Sequence, residues 1–159
     1  MDKSVWKLFS KHHYLDHKHN NAARVYICYI NDNPAGFISM MPQPGKHTVG
    51  DWRVHRLVVL PDYQGIGIGL KILNDVAELY RLEGIKVRIV TSAPSLLKAL
   101  NRKGSKWNCI SFGRKKPSGG LMENYNKSRG AKHSLSSTSN RISASFYYKQ
   151  NDKNDNKGK

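Results

Sequence analysis

The sequence predicts a mixed α/β fold: one central sheet flanked by helices. Three observations predict it. Short β-branched and aromatic runs alternate with segments whose apolar residues recur at helical spacing. The run "VVLPDYQGIGIGL" (58–70) carries a strand into a proline, a glycine-rich turn and a helix. The elements follow in the order helix, hairpin, strand, helix, strand, helix, strand, loop, strand, with no internal repeat.

In "SVWKLFSKHHYLDHKH" (4–19), Val5, Leu8, Phe9 and His12 or His13 share one helical face and Ser4 is placed to cap, predicting one helix with a ragged end. "ARVYICYI" (23–30) and "AGFISMM" (35–41) read as two strands of a hairpin turning at "NDNP". After the loop "PQPGKHTVGD", "WRVHRLVVL" (52–60) is a strand stopped by Pro61. By strict alternation His55, Leu57 and Val59 share one of its faces, and Val54, Arg56 and Val58 the other. A helix is expected over 69–83, with Leu70, Leu73, Val76, Ala77 and Tyr80 as its apolar stripe and Gly84 as its stop. "IKVRIVT" (85–91) is a strand with one half-exposed face, and "PSLLKALNR" a short helix with Pro94 at its first position. "KWNCISF" (106–112) and "RISASFYY" (141–148) are the last strands, joined by a long basic Gly/Ser-rich loop over 114–141. Residues 1–149 form one expected domain and 150–159 a disordered basic and polar tail.

Composition narrows the function classes. At 159 residues and 38% hydrophobic the chain can bury a core. Two cysteines exclude a disulfide scaffold, and Cys28 reads as a buried reduced thiol. No apolar run reaches membrane-spanning length and the N-terminal residues resemble no signal peptide, so a cytoplasmic protein with no membrane partner is expected. The net charge is +16, and residues 101–159 carry 14 basic and 3 acidic side chains, a surplus of +11. Such a field attracts polyanions, which makes nucleic acid a candidate partner through the basic residues of 101–141, Lys115 and Lys116 among them; a basic surface with no specific partner is the alternative.

The glycine run excludes two nucleotide loops. Gly69 is followed by Leu70 and Lys71 rather than a Lys-Ser/Thr pair, which rules out a Walker loop. The spacing G65-x-G67-x-G69 is not Gly-x-Gly-x-x-Gly, which argues against a dinucleotide fingerprint. What remains is a backbone cradle for a phosphate at a helix start.

The residues "Q64-G-I-G67-I-G69", after "RLVVLPDY", resemble the acyl-coenzyme A signature of the GNAT acetyltransferase superfamily, Gln/Arg-x-x-Gly-x-Gly/Ala. The element order over residues 5–148 is similar to that superfamily too. "HHYL", "WRVHRLVVLPDYQGIGIG" and "RISASFYY" look most like a bacterial and phage subgroup, with the phage DNA-modification protein Mom as a distant relative. The resemblance implies a sheet with one splayed strand pair, here without the usual first strand, and an acyl-CoA such as acetyl-CoA as cofactor. It implies that Gln64, Gly65, Ile66, Gly67, Ile68, Gly69 and Leu70 wrap the pyrophosphate, that Leu57, Val58 and Val59 pair with the pantetheine arm, and that Thr91 and Ser92 touch cofactor or acceptor. The "aromatic after Asn" arrangement of the family is replaced by "N101-R-K-G-S-K-W107".

Acyl transfer to an amine needs a base, an oxyanion donor and a proton for the leaving thiolate. Where many family members place a Glu, this chain offers His55, a base near neutrality or a sheet-surface histidine. His13 and Tyr14 are candidates for lining the acceptor cleft, or for packing and surface polarity. Tyr147 and Tyr148 lie on opposite faces of the last strand; the resemblance implies that one of them, with Tyr147 the candidate, protonates the departing thiolate, and core packing is the alternative. Four histidines and Asp16 within "HHYLDHKH" lack partner spacing elsewhere, so no metal is expected. Trp52 and Trp107 could stack a base but bury well in sheets, and packing is the preferred reading. The expected function is acyl-CoA-dependent N-acyl transfer, with a nucleic-acid base as one acceptor and a protein or small-molecule amine as the other; a nucleic-acid-binding module without catalysis is a third class. An oligomer is compatible with the sequence.

Overall fold

The computed structural model describes residues 3–12, 20, 22–114 and 142–150. His13, Tyr14, Asp16, His17, His19 and the basic segment 115–141 lie outside them, as does the expected tail from residue 151. The elements are α1 (Lys3–Ser10), β1 (Arg24–Ile30), β2 (Asn33–Pro42), β3 (Trp52–Val59), α2 (Ile68–Leu82), β4 (Val87–Thr91), α3 (Pro94–Leu100), β5 (Trp107–Arg114) and β6 (Ile142–Tyr148). They form one six-stranded sheet in the order β1-β2-β3-β4-β6-β5. Every neighbouring pair is antiparallel except β3 and β4, and no strand precedes α1 among the described residues.

The hairpin forms where the sequence places it. Asn31 and Asp32 take positive φ values of 48° and 63°, the backbone that a tight two-residue hairpin turn requires. Helix α1 is shorter than the expected 4–19. The Ser10 hydroxyl donates to the Lys7 carbonyl at 3.0 Å and the His12 N–H to the Phe9 carbonyl at 3.0 Å, tightening the end into a turn. Its buried residues are Trp6 and Phe9, whose rings lie 5.0 and 5.5 Å from Phe37, while Leu8 faces out. The stripe is therefore rotated relative to the predicted one, because the large aromatic surface of Trp6 wins the place on the sheet.

Helix α2 buries Leu73, Val76, Ala77 and Tyr80 as expected, together with Ile72, against Ile38, Met40, Val87 and Ile89. Gly84 ends it with φ +75°; its N–H bonds to Arg81 O and that of Ile85 to Tyr80 O, the paired bonds of a glycine-closed helix end. Trp107 is buried with its indole N–H donating to Asn74 Oδ1 at 2.8 Å, and Trp52 lies between Tyr80 and the Arg24 guanidinium. Both tryptophans pack, as preferred from the sequence. Cys28 is half-buried and reduced rather than fully buried.

Beyond the core, Glu78 of α2 accepts from Arg81 Nε at 2.9 Å and from the Tyr148 hydroxyl at 3.0 Å. The Arg81 bond, ahead of the Tyr148 bond, lowers its carboxyl from 4.5 to about 2. A lowered folded-state value means that Glu78 stabilises the fold above its unfolded value and that this contribution is lost as pH falls through the folded one. Urea unfolding of the wild type and Glu78→Gln is expected to show a stability gap that narrows between pH 4.5 and about 2.

Candidate active site

Strand β3 and strand β4 start side by side and then part. Their register is limited to Trp52↔Val87 and Arg53↔Arg88. Beyond that rung β3 remains paired with β2 as far as Val59, and β4 with β6 as far as Thr91. Leu57, Val58 and Val59 thus border a V-shaped opening with one hydrogen-bonding edge of β3 unused by the sheet. Thr91 and half-buried Ser92 stand across it, at the end of β4. The splayed pair that the resemblance implies is present.

The glycine turn lies at the open end of the V. Leu60 N–H still bonds to Ala35 O at 2.9 Å, a single turn of 3-10 helix over Pro61–Tyr63 follows, and the Gln64 side-chain amide donates to Val59 O at 2.8 Å. Gln64 therefore ties the turn to the last residue of β3 and leaves the backbone to face a ligand. Gly65 and Gly67 have φ of +81° and +90°, and a Cβ on either would meet nothing within 4 Å. Their need is for the left-handed backbone beside open space. Gly69 serves packing instead: a Cβ there would stand 3.3 Å from Val59 Cγ2, so its absence lets α2 sit close on β3.

The first bond of α2 runs from Lys71 N–H to Gly67 O, and no side chain caps the helix. The N–H groups of Ile68, Gly69 and Leu70 precede that ladder and carry the positive end of the helix. Gln64, Gly65, Ile66 and Gly67 are exposed. Open space at two glycines beside uncapped helix donors fits a phosphate group, which an acidic cap would repel.

The chemistry-bearing side chains are arranged around the base of the V. His55 is the extra residue of a β-bulge: Ser39 opposes Arg56 and Met40 opposes Val54, with His55 between them. This corrects the alternation expected for the strand. Trp52, Val54 and Leu57 all pack on the α2 side, whereas Arg56 and Val58 meet α1 residues, because the bulge shifts the phase by one. Tyr147 lies on the face of β6 turned away from α2. Its hydroxyl donates to Asp51 Oδ2 at 2.9 Å, and burial first, then that bond, raise its pKa above 10.0. His55 and Tyr147 are both near the last β3–β4 rung, since Tyr147 is the register partner of Arg88. His13 and Tyr14 lie outside the described residues.

Sequence reasoning singled out neither Asp51, Arg53 nor Arg88. The available signal for Arg88 is the alternation of charge with branched side chains in "IKVRIVT", which predicts only a half-exposed face. A cavity of about 1030 Å³ runs instead between α3 and β5/β6, lined by Leu97, Asn101, Phe112 and Phe146, and touches the opening through Ser92. Among the described residues no three His, Cys, Asp or Glu side chains are grouped to hold a metal ion, and no helix is long and apolar enough to cross a membrane.

Comparison with known proteins agrees with this geometry. An IAA acetyltransferase from Bacillus cereus superposes with a TM-score of 0.58 at 16% identity, covering 93% of this chain and 91% of its own. The ribosomal-protein-S18-alanine N-acetyltransferase of Escherichia coli gives 0.57 at 11%, covering 93% and 89%. A GNAT family acetyltransferase from Elizabethkingia anophelis, with acetyl-CoA bound, gives 0.53 at 14%, covering 93% and 83%. These likenesses are of fold. No curated protein sequence matches the chain. The model of the acetyltransferase (GNAT) family matches residues 2–101, which takes in α1, the hairpin, the glycine turn and α3. On that match and this fold, the chain belongs to the acetyltransferase (GNAT) family.

Proposed function

We propose that the protein is an N-acetyltransferase that uses acetyl-CoA, or a related acyl-CoA, to acylate an amine. The observation that carries this reading is the exposed Gly65–Gly67 cradle at the uncapped start of α2, placed at the mouth of the β3–β4 split. The backbone N–H groups of residues 65–70 would hold the pyrophosphate on a turn braced by Gln64, the free edge of Leu57–Val59 would pair with the amide-bearing arm, and Thr91 and Ser92 would border its other side. When bound, the cofactor supplies an acyl thioester activated for attack by an amine.

His55 acts as the base. The bulge leaves His55 unpaired in the register close to the last β3–β4 rung, and in this reading it takes the proton of the incoming amine. Tyr147, kept neutral by its environment, stands on the acceptor face as a proton donor held in place by Asp51. His13 and Tyr14, following α1 in the chain, are assigned to the acceptor cleft. His55→Gln is expected to lower kcat roughly a hundredfold with KM for acetyl-CoA little changed. An unaltered kcat in the variant assigns the proton transfer elsewhere.

The reading is tested by calorimetric titration with acetyl-CoA and by mass spectrometry of reactions offered peptides, polyamines, tRNA and DNA. Absence of acetyl-CoA binding overturns it. An acceptor on nucleic acid, and with it the likeness to Mom, is a second reading favoured by the +11 carried by residues 101–159. Its mark is acetyl mass added to tRNA or DNA, with binding that weakens steeply as salt rises.

A further inference from the structure

The sheet face turned away from α2 has an electrostatic feature that acyl-group binding does not explain. Arg53 and Arg88 are register partners on β3 and β4, so their Cα atoms lie about 5 Å apart across the sheet. Their neighbours Trp52 and Val87 both pack in the α2-side core, which puts the two arginines together on the opposite face. Like charges directly opposite on neighbouring strands repel. Both are half-buried, and the Nε of each is buried without a hydrogen-bond partner among the described residues.

Among the described residues no carboxylate forms an ion pair with either of them. Both salt bridges among the described residues lie on α2, Lys71–Asp75 and Arg81–Glu78. Of the described acids, Asp32 is in the hairpin turn, Asp62 in the turn after β3, and Asp75, Glu78 and Glu83 on or at the end of α2. Asp51 is the carboxylate left near this face, and it accepts from Tyr147 and makes no ion pair. Arg88 Nη2 reaches the buried Ser145 hydroxyl at 3.0 Å, a neutral partner. The Ser39 hydroxyl, fully buried on the same face, also lacks a partner among the described residues.

We propose that Arg53 and Arg88 form an anion site at the base of the β3–β4 split, which binds a phosphate or carboxylate group carried by the acceptor amine. The position follows from the register: the Arg53–Arg88 rung is the last before the strands part, so the site lies where an amine entering from the face opposite α2 would meet a thioester held in the split. Two adjacent guanidiniums offer forked N–H donors to one oxyanion, and the oxyanion relieves their mutual repulsion. An acceptor that is only cationic, such as a polyamine, would meet this pair as a like charge. The inference rests on the acetyltransferase reading for its placement and deepens it by naming the acceptor's chemistry.

The test uses the full chain saturated with acetyl-CoA, so that the glycine cradle is filled, and titrates inorganic phosphate or acetate at constant ionic strength while thermal unfolding is followed. Phosphate is expected to raise the Tm of the wild type and of Lys103→Gln, an exposed charge control. The rise is expected to vanish in Arg53→Gln and Arg88→Gln and to return in part in Arg53→Lys. In acetyl-transfer assays, 2-aminoethyl phosphate or β-alanine is expected to show a KM at least tenfold below that of spermidine. That advantage is lost in both glutamine variants, with KM for acetyl-CoA unchanged. The better of phosphate and acetate tells which oxyanion the site takes. Equal phosphate response in wild type and both glutamine variants overturns the anion site, as does a preference for spermidine. Failure of the wild type to bind acetyl-CoA overturns the acetyltransferase reading instead, and that binding is measured separately before any anion is added.

Discussion

Gly67→Glu is expected to weaken acetyl-CoA binding more than a hundredfold while the fold survives. Two costs add at this position. The backbone sits at φ +90° and ψ 0°, where an L-residue is strained by about 1–2 kcal/mol. The carboxylate would stand at the uncapped start of α2, in the space an anionic pyrophosphate needs. Two like charges about 4 Å apart near a protein surface repel by up to ~4 kcal/mol. If the free turn relaxes and must return to this backbone on binding, even half of that repulsion added to the strain exceeds the roughly 2.8 kcal/mol that a hundredfold loss requires. Gly67→Ala separates the two costs. Its Cβ meets nothing within 4 Å, so it carries the strain without the charge, and its affinity should stay within about tenfold of wild type. Calorimetry on both variants, with thermal unfolding as the folding control, reads the difference. Wild-type affinity in Gly67→Glu would remove the cradle from the cofactor's path.

The largest effect on stability is expected at Trp107. Its ring is buried at 4% exposure between α2 and the β5–β6 pair, with Tyr148 edge-on at 5.1 Å and its N–H bonded to Asn74 of α2. Trp107→Ala removes the indole, leaves a cavity and strands the Asn74 carbonyl, at a cost of about 3–5 kcal/mol. That is a large share of the roughly 5–15 kcal/mol available to a domain. Urea unfolding should show a lower midpoint with an unchanged slope, since the native state still buries the same chain. Trp107→Phe keeps an aromatic ring against Tyr148 and loses the hydrogen bond, and should cost about 1–2 kcal/mol. Because Asn74 lies on the helix that begins at the cradle, the alanine variant is also expected to bind acetyl-CoA more weakly near its unfolding transition than well below it.

How much of this was legible in the chain depends on the range of the interactions involved. The hairpin turn at Asn31–Asp32, the α2 stripe with its Gly84 stop, and the glycine cradle depend on local backbone preference and one-dimensional periodicity. The sequence carries both directly. The end of α1 was not legible in the same way: its register is set by which aromatic rings reach Phe37, a residue in another element. His55 shows the limit most clearly. Period-two alternation put Val54 and Leu57 on opposite faces, and one bulge against Ser39 and Met40 returned them to the same face.

The sequence by itself determined the fold class, the order of elements and the backbone cradle that marks the family, since each rests on residues close together in the chain. The tertiary structure alone decided where β3 and β4 part and that Arg53 and Arg88 meet at the last shared rung. Those facts depend on register between strands separated by the whole of α2. Register is set by the packing of that helix on the sheet, a sum of many weak contacts that no local pattern encodes.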